Sequence, residues 1–135
     1  MAIRRTAHAR YELWYHFAWS TKYRKEIFRE GRVKRATKEL FREIAGHYDI
    51  EISEIEILPE HIHFLATAPP RIAAAEIAQV VKSVSTKLLF ERYSWLKRYY
   101  WGGEIWEAGY FVRSVGSRLT KERIARYIRE QSSER

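Results

Sequence analysis

Two short β-prone runs, residues 50–57 and 61–67, stand back to back and are parted only by Leu58-Pro59-Glu60. In the first, Ile50, Ile52, Ile55 and Ile57 alternate with Glu or Ser, apart from one slip at Ser53 and Glu54 that marks a bulge. In the second, Ile62, Phe64 and Ala66 alternate with His61, His63 and Leu65, and Pro69-Pro70 stops the run. Strands joined by three residues pair as an antiparallel hairpin, because a parallel pair needs a crossover of a dozen residues or more. A sheet built around such a hairpin is therefore antiparallel, and the other elements must cover it.

The remaining segments supply that cover. Residues 11–20 are rich in aromatics (Tyr11, Trp14, Tyr15, Phe17, Trp19) and read as a strand that buries both faces in part. From 30 to 46, Val33, Ala36, Leu40, Phe41, Ile44 and Ala45 recur every three or four residues, the pattern of an amphipathic helix ended by Gly46. A second helix follows over 72–93, with Lys82, Lys87 and Arg92 on its polar side. Residues 99–115 are aromatic, with turn signals at Gly102-Gly103 and Gly109, and read as a short strand pair. Gly116 and Ser117 read as a hinge, and Thr120 as the cap of a last helix over 121–131. The fold class is α+β, an antiparallel sheet with helices packed on one face.

Composition bounds the function. The chain has 135 residues, enough for one core, and no stretch approaches a membrane span, so a soluble cytoplasmic protein is expected. Its formal net charge is +8, which points to an anionic partner, and 17 of its 25 cations are Arg, whose forked donors suit phosphate. Residues 49–70 hold five acids and no Lys or Arg, so the cations flank the hairpin. There is no Cys, which excludes thiolate metal sites and a thiol nucleophile, and the single Asp argues against a nuclease built on clustered aspartates. The lack of Asn, with abundant Glu and Arg, resembles a thermophile's composition.

Few residues can carry chemistry. His61 and His63 leave the same face of a strand with Cα atoms about 6.6–6.8 Å apart, so both imidazoles can grip one divalent ion. For an isolated pair of this kind, ordinary hydrogen-bonded histidines at a sheet surface are the better explanation; here Ile62, Phe64 and Ala66 point the other way into the core and give the pair a rigid base. On the last helix Arg123, Tyr127 and Gln131 share a face, beside Glu130, while Ile124 and Ile128 form a stripe that docks the helix and leaves Tyr127 outward. On spacing alone Tyr127 is one more packed tyrosine. A phenol, with an ordinary pKa of about 10, attacks phosphorus only where a metal polarises the phosphate and nearby charge helps remove the proton. No phosphate-cradling glycine loop is present, so no nucleotide cofactor is expected, and Ser83, Ser85, Ser114 and Ser117 lack a nucleophile setting. Trp95, Tyr99, Tyr100, Trp101, Trp106 and Tyr110 can stack bases or fill a core. Lys22, Arg24, Lys25, Arg29, Arg32, Lys34 and Arg35 either grip a phosphate backbone or form a solvated face.

The ordered blocks Pro59-Glu60-His61-Ile62-His63-Phe64-Leu65, Val81-Lys82-Ser83-Val84-Ser85, Trp101-Gly102-Gly103-Glu104-Ile105-Trp106, Gly109-Tyr110-Phe111-Val112-Arg113-Ser114-Val115-Gly116 and Tyr127-Ile128-Arg129-Glu130-Gln131 resemble the single-tyrosine HUH transposases of the insertion-sequence two-hundred and six-hundred-and-five group, whose relatives include the REP-associated tyrosine transposases. The resemblance runs from about residue 11 to 131. It implies a ferredoxin-like or RRM-like HUH fold over residues 1–135, with a core at 10–116 and a tyrosine-bearing helix and tail at 117–135. It implies a homodimer whose sheets join and whose tyrosine helix can complete the partner's site, with Gly116 and Ser117 then serving as the hinge, and it leaves open whether Tyr127 acts in cis or in trans.

In such an enzyme Tyr127 is the nucleophile, and His61, His63 and Gln131 hold the metal. The substrate is single-stranded DNA with imperfect hairpins. Cleavage leaves a 5′-phosphotyrosine and a 3′-hydroxyl. Mg2+ and Mn2+ are both expected to work, Mn2+ binding more tightly because it tolerates imidazole better. Lys22, Arg24, Lys25, Arg29, Lys82 and Arg113 are the expected DNA contacts. The competing readings are a domesticated hairpin-binding protein that no longer cuts, and a metal-dependent hydrolase in which water attacks.

Overall fold

A computed structural model describes the backbone of residues 3–116 and 118–133 and, within the last helix, the side chains of residues 122–131. A short ribbon pairs β1 (Arg4–Arg5) with β2 (Arg10–Tyr11). Then come β3 (Trp14–Ser20), α1 (Gly31–His47), β4 (Glu51–Ile57), β5 (His61–Thr67), α2 (Ala74–Arg92), β6 (Phe111–Val115) and α3 (Arg118–Ser133). The main sheet is antiparallel with strand order β4-β5-β3-β6. From β3 to β6 this is a βαββαβ unit with its first and third strands at the centre, the split arrangement of ferredoxin-like folds.

The hairpin follows its hydrophobic alternation. Ile57 pairs with Ile62, the Leu58 N–H donates to the His61 carbonyl at 2.8 Å, and the register shifts between Ile52 and Glu54, where the alternation slips. Ile62, Phe64 and Ala66 are fully buried with Phe17 and Trp19 of β3 against α1 and α2. The opposite face carries a second, smaller cluster of Trp14, Leu65 and Val115 against Ile124, Ala125 and Ile128 of α3. Thus α1 and α2 share one face as expected, and α3 lies alone on the other. The reason is local: on the face that carries His61, His63 and His16, Leu65 and Trp14 are apolar and need cover, and the Ile124–Ile128 stripe supplies it.

Several boundaries differ from the sequence expectation. Helix α1 runs through Gly46 to His47; the left-handed turn falls on Asp49 (φ 58°), after which the Ile50 N–H closes on the Ala45 carbonyl at 2.9 Å. This is a Schellman-type end in which Asp tolerates the conformation usually given to Gly. Tyr11 belongs to the small ribbon, so β3 starts at Trp14. The strand pair expected over 99–115 is a single strand, β6, because its ladder partner is β3. Upstream, residues 99–106 turn at Gly103 (φ 85°) and drop Tyr100, Ile105 and Trp106 into the core. Helix α3 begins at Arg118, placing Thr120 in its first turn instead of ahead of it. Of the expected hinge, Ser117 lies outside the described residues, and Gly116 is exposed with open space around its Cα.

Candidate active site

Strand pairing builds the site. His61 lies opposite Ser20 and His63 opposite Ala18, so both imidazoles emerge on the α3 face, with ring centroids 5.1 Å apart. Each is held by a partner. Glu60 Oε1 lies 3.0 Å from His61 Nδ1; a carboxylate only accepts, so Nδ1 carries the proton, and in the neutral ring the lone pair is on Nε2. The Glu60 backbone is itself fixed, because its carbonyl accepts from the Thr21 N–H at 2.8 Å. This carboxylate–imidazole pairing is the one that orients histidine ligands in metal proteins.

His63 has a less ordinary neighbour. Its Nδ1 lies 3.1 Å from Nε2 of His16, two residues along β3 from the Ala18 that faces it, and the rings are stacked at 5.3 Å. Burial, helped by the nearby His16 and His61 rings, pushes the His63 pKa down to about 4. The His16 pKa also falls, through burial first and the Arg113 guanidinium second. Both rings are therefore neutral at physiological pH, and one must donate to the other. If His63 gives its Nδ1 proton to His16, its Nε2 is free to ligate.

Helix α3 brings Tyr127 to this face. Its ring lies 5.9 Å from the His63 ring and 6.4 Å from the His16 ring, both edge-on, and stays half exposed while Ile124 and Ile128 anchor the helix. An ion pair of 2.7 Å between Arg129 and Glu54 ties α3 to β4. His16, His63, Phe111, Arg113, Arg123 and Tyr127 line one cleft of about 520 Å3, together with Ala18 and Ile124. A phenol, two imidazoles (His16 and His63) and two guanidiniums thus face one space, groups that phosphoryl transfer can use, while His61 and Gln131 are not among its lining residues. Gln131 follows Tyr127 by one turn and is half-buried. Among the described residues no three His, Cys, Asp or Glu side chains form a metal cluster, so any ion held here rests on two imidazoles plus other oxygens.

The expected DNA contacts divide. Lys22, Arg24, Lys25 and Arg29 sit on the 3-10 turns Lys22–Arg24 and Ile27–Arg29 or between them, and Arg29 pairs with Glu26 at 2.7 Å. Arg113 faces the cleft. Lys82 does different work: its ammonium donates to the Glu107 and Gly109 carbonyls at 2.8 and 2.7 Å, tying down the loop before β6, and burial lowers its pKa. Of the aromatic set, Tyr100 and Trp106 are core, the Trp106 indole donating to Ser85 Oγ at 2.9 Å, whereas Trp95, Tyr99, Trp101 and Tyr110 are exposed. His16 was missed by sequence reasoning. Its signal was parity, since it shares the face of Trp14 and Ala18 on the strand next to the two histidines, opposite to core Phe17 and Trp19.

The comparisons agree with this geometry. The family described as "Transposase IS200 like" matches residues 9–131. The ISDra2 transposase TnpA of Deinococcus radiodurans is 34% identical over 121 residues, covering 90% of this chain and 85% of that one. The crystal structure of a candidate transposase from Deinococcus radiodurans R1 superposes with a TM-score of 0.77 at 29% identity, covering 96% of this chain and 98% of that one. A REP-associated tyrosine transposase bound to a REP hairpin shares the fold, with a TM-score of 0.63 at 15% identity over 95% of this chain and 70% of that one. With a family match across nearly the whole length, this chain belongs to the IS200-like transposases.

Proposed function

We propose that this chain cleaves and rejoins single-stranded DNA at the ends of an insertion element, through a 5′-phosphotyrosine on Tyr127 and with Mg2+ or Mn2+ held by His61 and His63. One observation carries the reading: Tyr127 of α3 and His63 of β5 line the same cleft with Arg113 and Arg123. The donor set suits a divalent ion, because Glu60 leaves His61 Nε2 free and His63 stays neutral. Gln131, one turn beyond Tyr127, offers an amide oxygen. When bound, the ion polarises the scissile phosphate and offsets charge on the leaving 3′-oxygen.

The chain's own groups do the rest. Arg113 and Arg123 bind the phosphate and stabilise the charge that gathers as the phosphorus is attacked. The Tyr127 hydroxyl gives up its proton to water and its oxygen bonds to phosphorus. The bond from phosphorus to the 3′-oxygen breaks, and that oxygen takes a proton to become a 3′-hydroxyl. Rejoining is the reverse, with a 3′-hydroxyl attacking the phosphotyrosine, so the ester conserves the bond and no nucleotide cofactor is needed. The Ile124–Ile128 anchor keeps Tyr127 over the histidines of its own chain. We read residues 10–116 as the core and 117–135 as the tyrosine-bearing arm.

Hairpin recognition is supported by the fold shared with a REP-associated tyrosine transposase bound to a REP hairpin. A homodimer joined through the sheet is supported by β6, an edge strand that pairs only with β3 among the described residues and exposes Phe111 and Val112. Incubation of the protein with single-stranded element ends and Mn2+ should give a covalent protein–DNA band, absent in Tyr127→Phe. Changing His61 and His63 together to Ala should abolish that band while hairpin binding remains. A double variant that still cleaves would remove the metal role assigned to these residues.

A further inference from the structure

We infer that a second, non-catalytic surface, built from Tyr23, Trp95, Tyr99 and Trp101, stacks unpaired bases of the strand whose scissile phosphate lies at Tyr127; this rests on the proposed cleavage of single-stranded DNA. Four large rings are left in solvent here, with Trp101 78%, Tyr23 57%, Tyr99 44% and Trp95 38% exposed. Isolated exposed aromatics are ordinary, whereas a contiguous set marks a binding site. Tyr23, Trp95 and Tyr99 line one pocket of about 490 Å3. Trp101 lies 5.9 Å from the Tyr23 ring, within 20° of parallel.

Charge selects the occupant. The Lys22 and Lys25 ammoniums sit over the Tyr23 and Tyr99 rings at 5.6 and 5.3 Å, and Arg24 lines the same pocket. The pocket's two carboxylates are engaged, Glu26 by Arg29 at 2.7 Å and Glu30 by Arg32 at 3.5 Å. Aromatic faces interleaved with cations fit a polyanion whose bases are free to stack, which a duplex does not offer. The backbone is also shaped for display. Tyr23 and Arg24 are consecutive residues in the left-handed region (φ 63° and 50°), a conformation that costs a bulky residue energy and collects at functional sites.

Position links this surface to the cleft. Ser20 pairs with His61, and Thr21 donates through its N–H to the Glu60 carbonyl at 2.8 Å. Tyr23 follows three residues after Ser20, and because the chain turns through Lys22–Arg24 the reach is at most about 10 Å. A strand seated at the histidines therefore meets these rings within a few nucleotides.

The test is fluorescence anisotropy with a labelled oligothymidylate of about twelve nucleotides, which forms no hairpin. Trp95→Ala and Trp101→Ala should each weaken binding on the order of 10-fold with an unchanged salt slope, and Trp101→Phe should retain most of the affinity. Because Trp101 is 78% exposed, its removal leaves the fold intact, checked by an unchanged Tm. Wild-type affinity in both Ala variants overturns the inference. So does a change in sedimentation from dimer to monomer without loss of oligothymidylate binding, which makes the surface a protein interface. Adduct formation by the wild-type chain is read separately, so binding without cleavage contradicts the proposed function alone.

Discussion

At the scale of single residues, the site depends on how its imidazoles are aimed. Glu60 fixes the tautomer of His61 through a 3.0 Å contact. Removing such a carboxylate commonly costs 10- to 100-fold in metal affinity. Glu60→Ala should therefore weaken Mn2+ binding by about that factor in calorimetry, and Glu60→Gln, whose amide oxygen still accepts, should lose less. His63 carries a pH signature. Its folded pKa of about 4 lies below the ordinary value of 6.5, so on acidification the unfolded chain takes up a proton that the folded chain refuses. Its contribution to stability is full above pH 6.5 and is lost as the pH falls towards 4, and the shift at His16 has the same sign. Urea midpoints measured across that window should fall with pH more steeply in the wild-type protein than in His63→Gln. The His-x-His pair was legible because period two puts both rings on one face. The partnership with His16 was not, because it is a cross-strand contact that needs the β3–β5 register.

At the scale of elements, α3 is attached through a small cluster of its own, separate from the main core. It docks through Ile124, Ala125 and Ile128 on the small Trp14–Leu65–Val115 cluster, with the Arg129–Glu54 ion pair at its edge. Ile128 is fully buried, and its change to Ala should cost about 2–5 kcal/mol of local docking energy. Because the larger core does not include this cluster, the expected outcome is a strong loss of adduct formation with a smaller loss in the global Tm. The stripe that predicts this helix was readable from spacing; its choice of sheet face was not, because that depends on which face α1 and α2 leave bare. Lys82 gives a second element-scale prediction. Its two carbonyl contacts hold the loop before β6, so Lys82→Met should destabilise the fold by about 1 kcal/mol while leaving the salt slope of DNA binding unchanged. From sequence it looked like any cation on a helix's polar side, since carbonyls 25 and 27 residues away leave no local pattern.

At the scale of the whole molecule, charge and topology serve one geometry. The acidic hairpin is braced by cations from outside it: Arg4 on Glu51, Arg71 on Asp49 and Arg129 on Glu54. The sheet then presents His16, His61 and His63 on the face turned to the tyrosine helix, with the aromatic core behind it. The hairpin and the two main helices were readable because each is a local alternation. The irregular stretch at 99–106 was not, since Tyr100 and Trp106 fill the core from outside any strand while Tyr99 and Trp101 stay exposed. The central claim is that Tyr127 is the attacking group. Mass spectrometry of the protease- and nuclease-digested adduct, formed with single-stranded element ends and Mn2+, tests it most directly. The account predicts a nucleotide linked through its 5′-phosphate to the peptide that carries Tyr127; a nucleotide on any other side chain, or free 5′-phosphate ends without an adduct, would contradict it.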